Sequence, residues 1–210
     1  SLDGLPLRIE SVQVASSLFR RTEPMPLRRH DLCGARPAKD GKSYKSHVPV
    51  IECFAGLEGS RRWPRNPELQ RKTLAAMALH AASTLERSFG IACIGTEDHV
   101  DILYEGYAFR LRLHSLGGPS GLSSDEVGLK VKHHAAISGL ATRNPPYCAA
   151  VRLAKRWLGA QLLSPHFCQE AVELMVAEAF CNPSCLPPPG SHWSGFLRFL
   201  HNLASFPWDE

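Results

Sequence analysis

Apolar positions in this chain follow two periods, alternation in the first half and helical spacing in the second. Leu7, Ile9, Val12 and Val14 suggest an opening strand, with imperfect alternation. HVPVIECF at 47–54 reads as the next strand, with Pro49 at its edge or its beginning. Asn66, Pro67 and Glu68 supply a cap, a first-turn proline and a favourable acid, so a helix starts there. Leu74, Met77, Ala78, Ala81, Leu85 and Phe89 form its apolar face, and Gly90 ends it. VDILYEGYAFRLRLH at 100–114 reads as two strands turning near Glu105 and Gly106. In the second of them Tyr107, Phe109, Leu111 and Leu113 face one way, and Ala108, Arg110, Arg112 and His114 the other.

LGGPSGLSS at 116–124 is a Gly/Ser/Pro connector and the expected domain boundary, separating 1–115 from 125–210. Beyond it the spacing turns helical. Residues 127–140 carry Val131, Ala135 and Ile137 among Lys130, Lys132, His133 and His134. In 144–163 Asn144 is placed to cap a helix that Pro145 and Pro146 begin. Val151, Ala154, Leu158 and Leu162 line its apolar stripe, beside Leu153, Trp157 and Ala160. Residues 167–180 suggest another helix, with Ala171, Leu174 and Met175 inward; 182–192 is a proline-stiffened loop. A short amphipathic helix at 195–204 leaves Arg198 exposed. The segment 19–46, rich in Arg, Pro, Lys and Gly, reads as a long basic loop.

Composition narrows the class. The 210 residues are 44% apolar and 21% charged, a globular mix long enough to bury a core. A net charge of +4 permits nucleic-acid binding without demanding it. Seven scattered cysteines, an odd number, fit reduced thiols in a nuclear or cytosolic setting. No apolar run approaches ~18 residues, so no membrane span is expected. The opening SLDGLPLRIE and closing FPWDE suggest a fragment of a longer protein.

The segment RLAKRW at 152–157 resembles the helix of the poly(A) polymerase/oligoadenylate synthetase substrate domain. The resemblance implies that Lys155 is placed where a lysine of active members reaches a nucleotide triphosphate. A half of strand, helix and hairpin followed by a helical half suits a nucleotidyltransferase-like pair of domains, an α+β fold. Catalysis in that superfamily needs three converging carboxylates to hold two Mg²⁺ ions. No paired acids follow a Gly-Ser turn in residues 1–60; Gly59 and Ser60 precede Arg61, Arg62 and Trp63. Arg110 stands where the third acid is expected, and a cation there opposes metal binding. Glu97, Asp98 and Asp101 lie nearby with the wrong spacing. No catalytic residue, metal or cofactor is therefore expected.

Four stretches together resemble the nucleolar RNA-associated protein (Nrap) family: LDGLPLRIESVQ at 2–13, GLEGSRRWPRNPELQRKT at 56–73, VRLAKRW at 151–157 and SGFLRFLHNLASFPWDE at 194–210. The family's second stretch reads nearer EGSGRWPDD, so Arg61 and Arg65 are departures. The resemblance implies a catalytically degenerate nucleotidyltransferase-like domain followed by a truncated helical poly(A) polymerase/oligoadenylate-synthetase-like domain. It further implies an architectural role in the nucleolus, within the small-subunit processome that matures 18S ribosomal RNA. Pre-ribosomal RNA and other processome proteins would be the partners, with no small-molecule substrate.

Arg110, Arg112, Lys130, Lys132, Arg152, Lys155 and Arg156 are the candidate RNA or phosphate contacts. Each has an alternative: the sheet arginines as a solvated or salt-bridged face, Lys155 as a solvated helix lysine. Trp157 and Trp193 could stack on bases, although Trp157 sits within an apolar stripe. His133 and His134, and Cys181, Cys185 and His192, invite a zinc reading; the last three offer ligands without a clear fourth, beside prolines that favour a structural loop. An active nucleotidyltransferase and a protein-interaction module without RNA contact remain the alternatives.

Overall fold

A computed structural model describes residues 8–25, 27, 29, 49–59, 64, 66–115, 124–182 and 187–207. The chain divides into two compact units, Ser1–Ser16 with Leu27–Val131, and Ser17–Pro26 with Lys132–Glu210.

The first unit is built on a five-stranded sheet: β1 (Ile9–Val14), β2 (Val50–Leu57), β3 (Ala92–Gly95), β4 (His99–Tyr104) and β5 (Tyr107–Ser115). Their spatial order is β1-β2-β5-β4-β3. Only β2 and β5 run parallel; the other three pairings are antiparallel. Pro49 thus lies just before an interior strand, where its missing N–H removes no ladder bond. Glu105 and Gly106 have φ of 49° and 82°, the left-handed pair that a two-residue hairpin turn requires.

Helix α1 (Pro67–Phe89) starts as expected: Asn66 Oδ1 accepts from the Glu68 N–H at 2.9 Å. It ends at Gly90, which adopts the left-handed cap conformation. Its Met77, Ala78, Ala81 and Ala82 bury against Ala55, Leu57, Val100 and Leu113, with Leu111 partly buried beside them. The apolar face of β5 therefore builds core, as its alternation implies. Phe89, expected on the same helix face, is 62% exposed, because it occupies the last residue before the cap.

Helix α2 (Ser124–Arg143) contributes its turns up to Val131 to this unit and the remainder to the other. The second unit continues with α3 (Tyr147–Ala160), a short 3-10 helix (Ser164–His166), α4 (Gln169–Cys181) and α5 (His192–Ser205). Its core joins Tyr147, Val151, Ala154, Leu158, Val176 and Phe199, with Trp157 packed alongside. Ser191 and Ser194 form a reciprocal capping box that starts α5. At Gly195 an added Cβ would stand 2.7 Å from Cζ of Phe180, so only glycine allows that ring to lie on the helix.

Four local expectations are corrected. Asn144 does not cap α3; its side chain donates to Leu140 O at 3.3 Å, finishing α2 instead, and α3 starts after Pro146. Leu162 is not on the α3 stripe, since the helix ends at Ala160 and Leu162 has φ of 61° and 82% exposure. Leu174 is 55% exposed, because Val172, Glu173, Val176, Ala177 and Phe180 set the inward stripe of α4. Arg198 is half-buried and places Nη1 out of solvent. The connector at 116–123 and most of 19–46 lie outside the described residues.

Candidate functional site

The polar face of the sheet in the first unit is a chequerboard of opposite charges. Register places Glu52 of β2 and Asp101 of β4 on either side of Arg110 of β5. Arg110 grips Asp101 with both prongs, Nε to Oδ1 at 2.8 Å and Nη2 to Oδ2 at 2.9 Å. The Arg110 hydrogen bonds hold the Asp101 carboxyl below its ordinary range against the opposing effect of burial. In the next row Arg112 stands 3.4 Å from Asp98 and 3.5 Å from Glu52. Asp98 also receives His99 at 2.7 Å; burial pushes its carboxyl up, and the His99 bond and charge more than reverse that. From α2, Lys130 lies 3.5 Å from Glu52 and 3.6 Å from Glu126, with its ammonium 6.0 Å from the Phe54 ring centre.

This arrangement has a chemical consequence. A carboxylate whose two oxygens already accept from one guanidinium offers a divalent ion fewer lone pairs and, beside that fixed cation, an unfavourable field. Among the described residues no group of three His, Cys, Asp or Glu side chains is placed to hold a metal. Of the two sheet arginines, the salt-bridged reading is the one the geometry supports.

The second unit holds one buried carboxylate that four side chains address. Glu173 of α4 is fully buried. Its Oε1 accepts from Thr22 at 2.6 Å, Lys155 at 2.8 Å and Arg20 Nη2 at 3.3 Å. Its Oε2 accepts from Arg20 Nε at 3.0 Å and meets His133 Nε2 at 2.7 Å. Its own backbone carbonyl accepts from the Tyr147 hydroxyl at 2.8 Å. Burial pushes this carboxyl up, but the His133 bond, the Lys155 charge and bond and the Thr22 hydroxyl bring it down to about 2. The Tyr147 hydroxyl is shifted far upward, by burial first and by the Glu173 charge second. It therefore serves as a donor and stays protonated.

The solvated reading of Lys155 is thus corrected. It is 8% exposed, with Nζ bonded to Glu173 and, at 3.2 Å, to Gln169. The cavity it lines with Pro24, Leu158, Ser164, Phe167, Gln169 and Val172 has a volume of about 120 Å³. That is below the roughly 300 Å³ at which small-molecule sites begin, and too small alone for a nucleotide. Of the other candidates, Lys132 and Arg156 are exposed, and Arg152 donates to the backbone carbonyl of Arg21 at 2.6 Å. His133, considered for zinc, is engaged by Glu173. Cys185 lies outside the described residues.

Sequence reasoning missed Arg20, Thr22, Tyr147 and Glu173 as members of this site, and named His133 for another role. One signal was available for Glu173: an acid flanking an otherwise unbroken stripe of Val172, Val176 and Phe180. An acid there must be exposed by a helix rotation or neutralised from outside the helix.

Comparison with known proteins places both units. The family model described as Nrap protein nucleotidyltransferase domain 4 matches residues 1–120, and that of Nrap protein PAP/OAS1-like domain 5 matches 144–210. Nucleolar protein 6 of Mus musculus is 32% identical across 99% of this chain, which covers 21% of that protein. The Homo sapiens protein of the same name gives the same figures. U3 small nucleolar RNA-associated protein 22 of Schizosaccharomyces pombe is 29% identical, with 99% of this chain and 20% of that protein covered. The chain thus spans about a fifth of the length of these curated relatives. Among solved structures, a chain of the E. coli MS115-1 CdnC:HORMA-deltaN complex superposes with a TM-score of 0.53 at 16% identity. It covers 97% of this chain and 59% of that one, a likeness of fold alone.

Proposed function

This chain belongs to the Nrap family, and we propose that it acts there as a non-catalytic, RNA-associated architectural module of small-subunit ribosome assembly. Relatives named for the nucleolus and for association with U3 small nucleolar RNA support a nucleolar setting and a role in ribosomal RNA maturation. Pre-ribosomal RNA and other proteins of the small-subunit processome are the partners this reading implies. The observation that carries the non-catalytic part is the two-pronged seat of Arg110 on Asp101, in the position where a nucleotidyl-transferring sheet needs an acid. Association with RNA would proceed through phosphate contacts by cations that the fold leaves unpaired.

A second reading has its own support. Trp193 and Leu197, one turn apart on α5, are 59% and 62% exposed, which suits contact with a protein partner. Fluorescence anisotropy of the full chain with a labelled single-stranded RNA, titrated at increasing KCl, separates the two. Phosphate contact gives an affinity that falls steeply, with log K linear in log salt. Absence of binding at low salt, or an affinity indifferent to salt, leaves the protein-contact reading and removes the RNA one.

A further inference from the structure

We propose that Arg21, Arg152 and Arg156 form a guanidinium row on the second unit that binds the phosphate backbone of RNA. The inference rests on the RNA-associated reading above and assigns it a surface. Three observations on the helical unit lead to it.

The first is a sorting of cations. Arg20 and Lys155 are buried and carried by Glu173. Arg21, Arg152 and Arg156 make no ion pair among the described residues. Within one unit, then, Arg20 and Lys155 are paired in the core, while Arg21, Arg152 and Arg156, like Arg143 and Arg198, have no carboxylate partner among the described residues.

The second is how Arg21 is held. Residues 17–21 form a turn closed by Arg21 N to Leu18 O at 3.1 Å and Thr22 N to Ser17 O at 3.0 Å. Arg20 and Thr22, on either side, are 3% and 0% exposed and both bond to Glu173. Arg21 between them is exposed and has φ of 59°, a conformation that a residue with a long side chain rarely adopts. Two buried anchors impose it. The buried carboxylate thereby fixes the place of an outward arginine.

The third is the alignment with α3. Arg152 Nη1 donates to the Arg21 carbonyl at 2.6 Å, and one turn earlier Cys148 Sγ reaches the Arg20 carbonyl at 3.4 Å. Residues 20–21 are therefore strapped along the same face of the helix. Burial pushes the Cys148 thiol up and the Glu173 charge adds to that, while the charges of Arg152 and Arg21 pull it back. Arg156 follows Arg152 by four residues, about 6 Å along the axis on the same side. Lys155, between them in sequence, is buried and held by Glu173.

Guanidiniums gathered on one face repel one another, and an incoming polyanion relieves that repulsion. A guanidinium presents five N–H donors in a planar fork that fits phosphate oxygens. Arg152 spends one of them on the strap and keeps the rest. The contacts are to backbone, so they set affinity and position without reading bases.

The test compares the full chain with Arg21→Gln/Arg152→Gln/Arg156→Gln, using a labelled single-stranded RNA and a KCl series. Arg71→Gln/Arg87→Gln/Arg143→Gln, removing equal charge from other exposed positions, is the control. The expected result is a loss of affinity of at least about tenfold and a salt slope smaller by about 2, the share of three phosphates at roughly 0.7 each. The control should change the slope by less than half as much. Arg156→Gln alone, at an exposed helix position, serves if the triple variant fails to fold, and should lower the slope by about 0.7. A wild-type chain that binds with a clear slope while the arginine variant matches it, or matches the control, overturns this row and leaves the RNA reading intact. A wild-type chain that does not bind RNA overturns both.

Discussion

Replacing Glu173 with Gln lowers the stability of the helical unit by about 3–5 kcal/mol, the range for removing one partner of a buried ion pair. The amide keeps the shape but leaves Arg20 and Lys155 charged in a dry site with no counter-charge. Urea unfolding should show a lower midpoint at an unchanged slope. A companion variant separates charge from packing: Arg20→Met/Lys155→Met/Glu173→Leu removes the carboxylate with its Arg and Lys partners, leaving Thr22 and His133, and should lie closer to wild type. The pH dependence has the same origin and a definite sign. Glu173 sits at about 2 in the fold against an ordinary 4.5, so its contribution is complete above pH 4.5 and is lost as pH falls towards 2. At roughly 1.4 kcal/mol per tenfold, that displacement amounts to about 3 kcal/mol. Asp98 and Asp101, also held below their ordinary range, act in the same direction in the sheet unit. In the Gln variant the acid-dependent loss from the helical unit should largely disappear.

Phe199→Ala is expected to cost about 3–5 kcal/mol, through lost burial together with the cavity left behind. Phe199 is fully buried in the core that joins α3, α4 and α5, and stacks with Phe196 at a centroid distance of 6.3 Å. One turn away, Gly195 lets the Phe180 ring lie against the helix, leaving little freedom for α5 to collapse into the gap. Leu197→Ala on the same helix removes a side chain that is 62% exposed and should stay within about 0.5 kcal/mol of wild type. Comparable losses in the two variants would mean that α5 does not dock as described.

Elements whose signals are local were legible in the sequence. Asn66, Pro67 and Gly90 mark both ends of α1 without reference to anything distant, and the Glu105–Gly106 turn defines its own hairpin. The α+β class follows from the change of hydrophobic period. Arg110 could be picked out as a cation where an acid is expected, because one residue type at one strand position suffices for that comparison. The Glu173 site could not be assembled in this way. Its acid and Arg20 are 153 residues apart, and nothing near either residue names the other. The same distance effect misled the reading of α4: once Glu173 is neutralised it can face inward, and Leu174 turns out to solvent. Asn144 shows a competition between neighbours, since its amide serves the end of α2 before α3 has begun. For Lys155 the sequence offers a phosphate contact or a solvated lysine, and the partner that holds it is a carboxylate 18 residues onward.

The most direct test of a non-catalytic module is nucleotidyl transfer itself. The chain is incubated with an RNA primer, each ribonucleoside triphosphate and Mg²⁺ or Mn²⁺, and primer length is followed on a denaturing gel. No extension beyond a protein-free blank is expected, because Arg110 occupies both oxygens of Asp101. Metal-dependent extension that Asp101→Asn abolishes would contradict the proposal and make this sheet face a working active site.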